Sequence, residues 1–129
     1  VLLRTTAETL LGAPQTDVKD ELSLSEGLSL AQQGKLQLID VRPLEEFQSG
    51  HLAGALSMPL ASLSETITKL DSETPAAAYC RSPYCFLARQ AQEIFAKHGK
   101  TLYVLSDGVQ DWKASSPELL TISTDSEES

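Results

Sequence analysis

The sequence predicts an α/β fold in which a central parallel β-sheet is flanked by helices on both faces. Short apolar or β-branched runs alternate along the chain with segments whose apolar residues recur at helical spacing. Strands separated by helical segments form βαβ units, and such units build parallel sheets. The clearest unit covers residues 76–98, where an apolar strand ends in a cysteine-containing turn that leads directly into a helical pattern.

The first half of the chain begins with a polar arm and then enters this alternation. Residues 1–11 have a partial helical stripe, and residues 15–21 are predicted to be a polar connector. Ser23 and Glu26 have the spacing of a capping box, which predicts a helix over residues 24–33. The next predicted elements are a strand over 36–41, a helical turn over 44–47, a glycine-punctuated loop over 49–55 and a short strand over 56–58.

The second half repeats the pattern. A helix over 62–70 precedes the 76–79 strand, a helix from about residue 85 to 98 follows the turn, and Gly99 stands where that helix would stop. The remaining predicted elements are a strand over 101–105, a short helix holding Val109 and Trp112, and coil from Ser115 onward. We assign residues 1–20 to an arm or interdomain connector, 21–119 to one domain and 120–129 to an acidic flexible tail.

Composition excludes several classes of function. The 129 residues suffice for one domain with a core, and the 41% apolar content is that of a globular protein. The net charge of −8 would repel a phosphate backbone, so we expect no direct nucleic-acid binding. The sequence has no apolar run long enough to span a bilayer and no signal peptide, so we expect a cytoplasmic protein without membrane attachment.

The turn after the 76–79 strand is the candidate active site. Cys80 would face the backbone N–H groups of the turn and the positive end of the following helix. That environment lowers the pKa of a thiol and favours the nucleophilic thiolate. A persulfide formed on Cys80 would have its charge stabilised by the same N–H groups, and a second thiol would then collect the outer sulfur.

Only two cysteines, Cys80 and Cys85, occur in the chain, five positions apart. Two cysteines do not make a secreted disulfide framework, and they fall short of the four ligands of a zinc site. We therefore expect no zinc site, and the persulfide chemistry expected of Cys80 requires no metal and no organic cofactor. Two interpretations of Cys85 stay open: a resolving thiol that reacts with Cys80, or a residue packed at the start of the helix.

Four motifs resemble those of a known family in order and spacing. They are LIDVR at 38–42 with Glu46-Phe47, GHLAGA at 50–55, Tyr79-Cys80 with its turn, and DGVQDW at 107–112. Together they make residues 22–117 resemble a single rhodanese domain. The resemblance implies the rhodanese fold and a sulfurtransferase that moves sulfane sulfur from a small anionic donor, such as thiosulfate or polysulfide, to a thiol or cyanide acceptor.

The same resemblance implies roles for individual residues. Cys80 would carry the sulfur, and the loop that follows it would cradle the anion. Asp40 and Arg42 would be structural, with Arg42 the partner of Glu46. The residues themselves add that Asp40, within an apolar strand, needs hydrogen-bond partners. They also favour a His51 that, beside Gly50, holds its loop by hydrogen bonds over one that acts as a general base. The predicted site residues are therefore Cys80, the loop residues Arg81, Ser82, Pro83, Tyr84 and Cys85, and the supporting residues Asp40, Arg42 and His51.

A finer resemblance concerns the sequence YCRSPYCFLA at 79–88. It is similar to a YCRGPYCVLA pattern in rhodanese domains fused behind ArsR-type winged-helix repressors. This similarity implies an alternative function, a sulfur- or redox-sensing module in which Cys80 and Cys85 switch a fused or partner DNA-binding domain upstream. Cys85 also stands where many thiosulfate-type rhodaneses carry a basic residue, so we expect poor turnover of thiosulfate.

Overall fold

A computed structural model of the chain describes residues 20–82 and 86–122. Its strands are β1 (Glu21–Leu22), β2 (Gln37–Asp40), β3 (His51–Leu52), β4 (Leu56–Ser57), β5 (Ala76–Tyr79), β6 (Leu102–Leu105) and β7 (Leu120–Thr121). Its α-helices are α1 (Leu24–Gln32), α2 (Leu44–Ser49), α3 (Leu63–Thr66), α4 (Phe86–Lys97) and α5 (Val109–Ser115). Short 3₁₀ turns cover Leu60–Ser62, Ile67–Lys69 and Pro117–Leu119.

The main sheet has five strands in the order β1-β6-β5-β2-β4, and all its pairings are parallel. This topology confirms the predicted parallel sheet. The central pair, β2 and β5, aligns Asp40 with Tyr79. Both strands therefore end at the same edge of the sheet, and Cys80 follows immediately. Ligands of open parallel sheets bind at this carboxyl edge.

Alternate strand residues enter two separate cores, which is why the sheet is covered on both faces. Within β5, Ala77 and Tyr79 join the core beneath α1, α2 and α5, whereas Ala76 and Ala78 join the core beneath α3 and α4. Phe47 and Trp112 are the large helical residues of the first core, and Phe95 of the second. Within the described residues, no helix combines the length and apolar character needed to cross a bilayer.

The start of α1 follows the predicted capping box. The Ser23 hydroxyl accepts a hydrogen bond from the Glu26 N–H at 3.1 Å, and the Glu26 carboxylate accepts one from the Ser23 N–H at 3.1 Å. The helix then lies close to β6. A Cβ added at Gly27 would come within 2.6 Å of the Leu105 side chain. Gly27 thus sets the distance at which α1 packs on the sheet.

Three short strands correct the sequence prediction. Glu21–Leu22, expected to be the end of a connector, pairs with β6 as an edge strand. His51–Leu52, expected to be loop, pairs antiparallel with Leu120–Thr121, in a region expected to be coil. The helix predicted over 62–70 is a run of 3₁₀, α and 3₁₀ turns over 60–69. The helix predicted at 1–11 and the tail at 123–129 lie outside the described residues.

Candidate active site

Cys80 lies at the predicted place, directly after β5 at the carboxyl edge of the sheet. Its side chain is 2% exposed and packs against Ala88 of α4 and Val104 of β6. Cys80 is disulfide-bonded in this structure. Pro83, Tyr84 and Cys85, also predicted site residues, lie outside the described residues.

Backbone hydrogen bonds from α5 orient the beginning of the loop. The Val109 N–H donates to the Cys80 carbonyl at 3.0 Å, and the Gln110 N–H donates to the Arg81 carbonyl at 2.8 Å. In a trans peptide the C=O and the following N–H point in opposite directions. No cis peptide occurs among the described residues. The N–H groups of Arg81 and Ser82 therefore point away from α5.

Gly108 lets α5 come this close to the loop. A Cβ at Gly108 would lie 2.4 Å from both the Cα and the N of Ser82. The contact is with backbone atoms, which no side-chain rotation can relieve. The Asp111 carboxylate accepts a hydrogen bond from the Gly108 N–H at 2.9 Å and fixes the first turn of α5. Gly108 and Asp111 thus position the loop, although the sequence motif alone did not reveal that contact.

A buried ion pair supports the end of β2. Arg42 donates from Nε and Nη2 to the Asp40 carboxylate, with a shortest N···O distance of 2.6 Å, and both residues are at most 4% exposed. This confirms that the aspartate predicted within the strand has hydrogen-bond partners. It corrects the expected partner of Arg42, which is Asp40 rather than Glu46. Arg42 Nη2 also donates to the Gly50 carbonyl at 2.7 Å, which connects β2 to the turn before β3.

Glu46 instead binds the active-site loop. Arg81 Nε lies 2.8 Å from Glu46 Oε1, and Arg81 Nη2 lies 2.7 Å from Oε2, so the pair is bidentate. The two side chains are partly exposed, at 43% and 35%. The hydrogen bonds from Arg81 lower the pKa of Glu46, and those same bonds raise the pKa of Arg81. A pairing between residues 35 positions apart leaves no local signal in the sequence.

His51 is buried behind α2. Its Nδ1 lies 2.8 Å from the Phe47 carbonyl oxygen. Since a carbonyl only accepts, this nitrogen carries a proton. The imidazole also stacks on the Phe47 ring, with ring centroids 3.7 Å apart. His51 therefore anchors the end of α2, the helix that carries Glu46.

Tyr79 is a further buried residue with a polar group beneath the loop, a role that we did not predict. Its hydroxyl accepts a hydrogen bond from the Leu52 N–H at 3.0 Å, and its ring meets Trp112 edge-to-face at 5.2 Å. Burial, together with the neighbouring Asp40 carboxylate, raises the pKa of Tyr79 well above its usual value. The available sequence signal was a tyrosine at the end of a buried strand, whose hydroxyl needs a partner.

Replacing Tyr79 with phenylalanine is expected to lower the free energy of unfolding by about 1–3 kcal/mol, because a buried N–H loses its acceptor. Denaturant unfolding at neutral pH measures this change, with Tyr103→Phe, at a half-buried position of β6, as the matched control. A raised pKa gives stability that is complete below the unfolded value of 10.0 and is lost as the pH rises above it. The unmutated protein should therefore lose stability above pH 10.0 more steeply than Tyr79→Phe. Equal stability of the two variants at neutral pH would contradict this role.

Within residues 20–82 and 86–122, no group of three or more His, Cys, Asp or Glu side chains has a metal-binding arrangement. The described part of the site holds a cysteine, two backbone N–H groups and the Arg81–Glu46 pair. A family model described as a rhodanese-like domain matches residues 23–115, well over half of the chain. The chain belongs to the rhodanese-like domain family.

Two relatives of this rhodanese-like domain carry different descriptions. The HTH-type transcriptional regulator Rv0324 of Mycobacterium tuberculosis is 36% identical over 107 residues, which are 83% of this chain and 46% of the regulator. The chain thus spans about half the length of that relative. The thiosulfate sulfurtransferase GlpE of Coxiella burnetii is 31% identical over 99 residues, 75% of this chain and 90% of GlpE.

A solved structure supports the rhodanese-like fold independently of close sequence similarity. The BH2092 protein from Bacillus halodurans superposes with a TM-score of 0.73 at 22% identity, over 94% of this chain and 84% of that one. At this identity, the likeness concerns the fold alone. Family membership and fold therefore agree.

Proposed function

We propose that this rhodanese-like domain is a sulfurtransferase that carries sulfane sulfur as a persulfide on Cys80. One observation carries the proposal: α5 holds the Cys80 and Arg81 carbonyls, so that the next two N–H groups point away from the helix. These groups stabilise a negative charge on the cysteine sulfur before and after the sulfur arrives. A relative described as a thiosulfate sulfurtransferase covers three quarters of the chain and supports the same reaction class.

The proposed reaction has two steps. The Cys80 thiolate attacks the outer sulfur of thiosulfate; a new S–S bond forms, the S–S bond of thiosulfate breaks, and sulfite leaves with the electron pair. An acceptor thiolate then attacks the outer sulfur of the Cys80 persulfide and leaves as a persulfide, which restores the Cys80 thiolate. Cyanide in the second step would leave as thiocyanate. A polysulfide donor would transfer its terminal sulfur in the same way.

The reaction needs reduced Cys80, whereas Cys80 is disulfide-bonded in the structure. We therefore place the activity in the cytoplasm, where thiols are kept reduced. The other residues of the loop, Arg81, Ser82, Pro83, Tyr84 and Cys85, are proposed to surround the transferred sulfur. Asp40, Arg42 and His51 support the loop from below and do not touch the reacting atoms in this proposal.

Intact-mass measurement of the reduced protein after exposure to thiosulfate or polysulfide tests the proposal. We expect the unmutated protein and Cys85→Ser to gain one sulfur atom, and Cys80→Ser to gain none. The two variants each lose one thiol, so Cys85→Ser controls for the number of reactive groups. The proposal fails if no donor adds sulfur to the unmutated protein, or if Cys80→Ser is modified equally.

A second candidate function is a sulfur- or redox-sensing module of a DNA-binding regulator. Two observations favour it: Cys80 is disulfide-bonded, and a relative of about twice this length is described as an HTH-type transcriptional regulator. In this alternative, Cys85 is proposed as the resolving thiol. Its thiolate attacks the inner sulfur of the Cys80 persulfide, a Cys80–Cys85 disulfide forms, and sulfide leaves and takes up a proton.

Sulfide release distinguishes the two candidates. A sulfurtransferase releases sulfur to glutathione or cyanide over many turnovers. A sensor releases at most one sulfide per chain and then remains oxidised until it is reduced. Cys85→Ser would trap the persulfide in the second case and would leave turnover measurable in the first.

A further inference from the structure

The charge of Arg81 in the active-site loop is offset by a residue that lies outside the loop. Arg81 is the only charged residue in the sequence of the loop, 81–85. Its guanidinium is held by both oxygens of the Glu46 carboxylate at 2.7 and 2.8 Å. A bidentate pair of this kind fixes the guanidinium plane and offsets its charge. An anionic donor approaching Cys80 therefore meets a cation that already has a counterion.

The counterion is positioned by a rigid support. Glu46 lies in the first turn of α2, and the next residue, Phe47, is buried in the core. His51 stacks on the Phe47 ring and bonds its carbonyl, while Arg42 bonds the Gly50 carbonyl just beyond the helix. Glu46 is consequently presented to the loop by the packed core, and its charge persists because Arg81 lowers the pKa of Glu46.

We propose that Glu46 is a specificity-determining residue, which disfavours dianionic sulfur donors and favours singly charged or neutral ones by neutralising Arg81. The inference rests on the proposed function, since it names the class of donor for the same site. Thiosulfate carries two charges, whereas the persulfide of a thiol carries one on its terminal sulfur. The domain therefore prefers small persulfides to thiosulfate.

The expected size of the effect of Glu46 on reactivity toward anions follows from the exposure of the Arg81–Glu46 pair. Both side chains are more than one-third exposed, so solvent and salt screen the interaction. Removing the Glu46 charge should change reactivity toward an anion by about two- to fivefold at low ionic strength, the range of an exposed ion pair. The difference should fall as salt is added.

Alkylation of Cys80 measures this electrostatic effect without requiring turnover. Iodoacetate is an anion and iodoacetamide is neutral, yet both alkylate the same thiolate. The ratio of their rate constants on reduced protein reports the charge near Cys80, and a Cys85→Ser background leaves Cys80 as the sole thiol. We expect Glu46→Gln to raise the ratio of iodoacetate to iodoacetamide rates by about two- to fivefold.

Glu45→Gln is the matched control, because it removes the same charge from the neighbouring exposed position of α2. We expect it to leave the ratio near that of the unmutated protein. Arg81→Gln should lower the ratio, since the Glu46 carboxylate would then lose the counterion that the loop supplies. The double variant Arg81→Gln with Glu46→Gln should return the ratio to that of the unmutated protein. The inference is overturned if Glu46→Gln and Glu45→Gln give the same ratio.

Donor kinetics separate this inference from the proposed function. If sulfur transfer occurs, Glu46→Gln should lower KM for thiosulfate, with a smaller change for the persulfide of 2-mercaptoethanol, which carries a single negative charge. If the unmutated protein accepts sulfur from no donor, the proposed function fails, while the alkylation ratio still decides whether Glu46 controls the charge at Cys80. Transfer with equal donor preference in Glu46→Gln and Glu45→Gln would overturn the specificity role alone.

Discussion

Replacing Asp40 with alanine should lower the free energy of unfolding by about 3–5 kcal/mol, because it leaves a buried guanidinium without its counterion. Asp40 is fully buried, and Arg42 is 4% exposed and bonds both oxygens of the carboxylate. The loss is large compared with the whole stability of a domain, about 5–15 kcal/mol. Denaturant unfolding of the reduced protein at neutral pH measures it.

Asp71→Ala is the matched control for this prediction. Asp71 also accepts hydrogen bonds, from the Glu73 N–H and the Thr74 hydroxyl, but it lies in an exposed turn. Its loss should therefore have a much smaller effect. Replacing Asp40 and Arg42 together with apolar residues should recover part of the stability, because no buried charge is then left alone. Similar unfolding curves for Asp40→Ala and Asp71→Ala would show that the buried pair is not a major support.

The second large effect is expected at Gly108. Gly108→Ala places a methyl group 2.4 Å from the Ser82 backbone, so α5 or the loop must move. A displacement of about 1 Å in a reacting group reduces rates by on the order of a hundredfold. We therefore expect persulfide formation on Cys80 to slow by about that factor, measured by intact mass over time, while far-ultraviolet circular dichroism keeps its native form.

Gln110→Ala tests whether this effect belongs to the contact with the loop. Gln110 is exposed on the same turn of α5, and its backbone N–H still donates to the Arg81 carbonyl after the substitution. Its rate of persulfide formation should stay close to that of the unmutated protein. If Gly108→Ala reacts as fast as Gln110→Ala, the loop tolerates the methyl group and the positioning role of Gly108 is wrong.

Sequence patterns predicted the features that depend on neighbours in the chain. The strands with several apolar residues, the capping box at Ser23 and the need of Asp40 for a partner all have local signals. The strands β1, β3 and β7 have no such signal, and tertiary pairing alone defines them, whereas β4, equally short, was predicted within residues 56–58. The site shows the same division. Cys80 and its loop stand out in the sequence, whereas the contacts that position the loop do not.

The partners of charged side chains were not predictable in this way. Arg42 is four residues from Glu46, a spacing that suggests a pair when both lie on one helix. Arg42 instead precedes α2, at the end of β2, where Asp40 is in reach. Glu46 is thereby left to bind Arg81, which only the packing of α2 beside β5 brings near. The contact of Gly108 with Ser82 likewise depends on two segments that meet only in the folded chain.

The order of the strands also bears on how the domain assembles. β2 and β5, which form the centre of the sheet, are complete once residue 79 has been made, whereas β1 must wait for β6, its partner in the sheet. The Cys80 and Arg81 carbonyls receive their hydrogen bonds later still, because the donors lie in α5. During synthesis from the N-terminus, the cysteine therefore emerges well before the segment that orients it, and the reactive loop is among the last parts of the domain to take its final form.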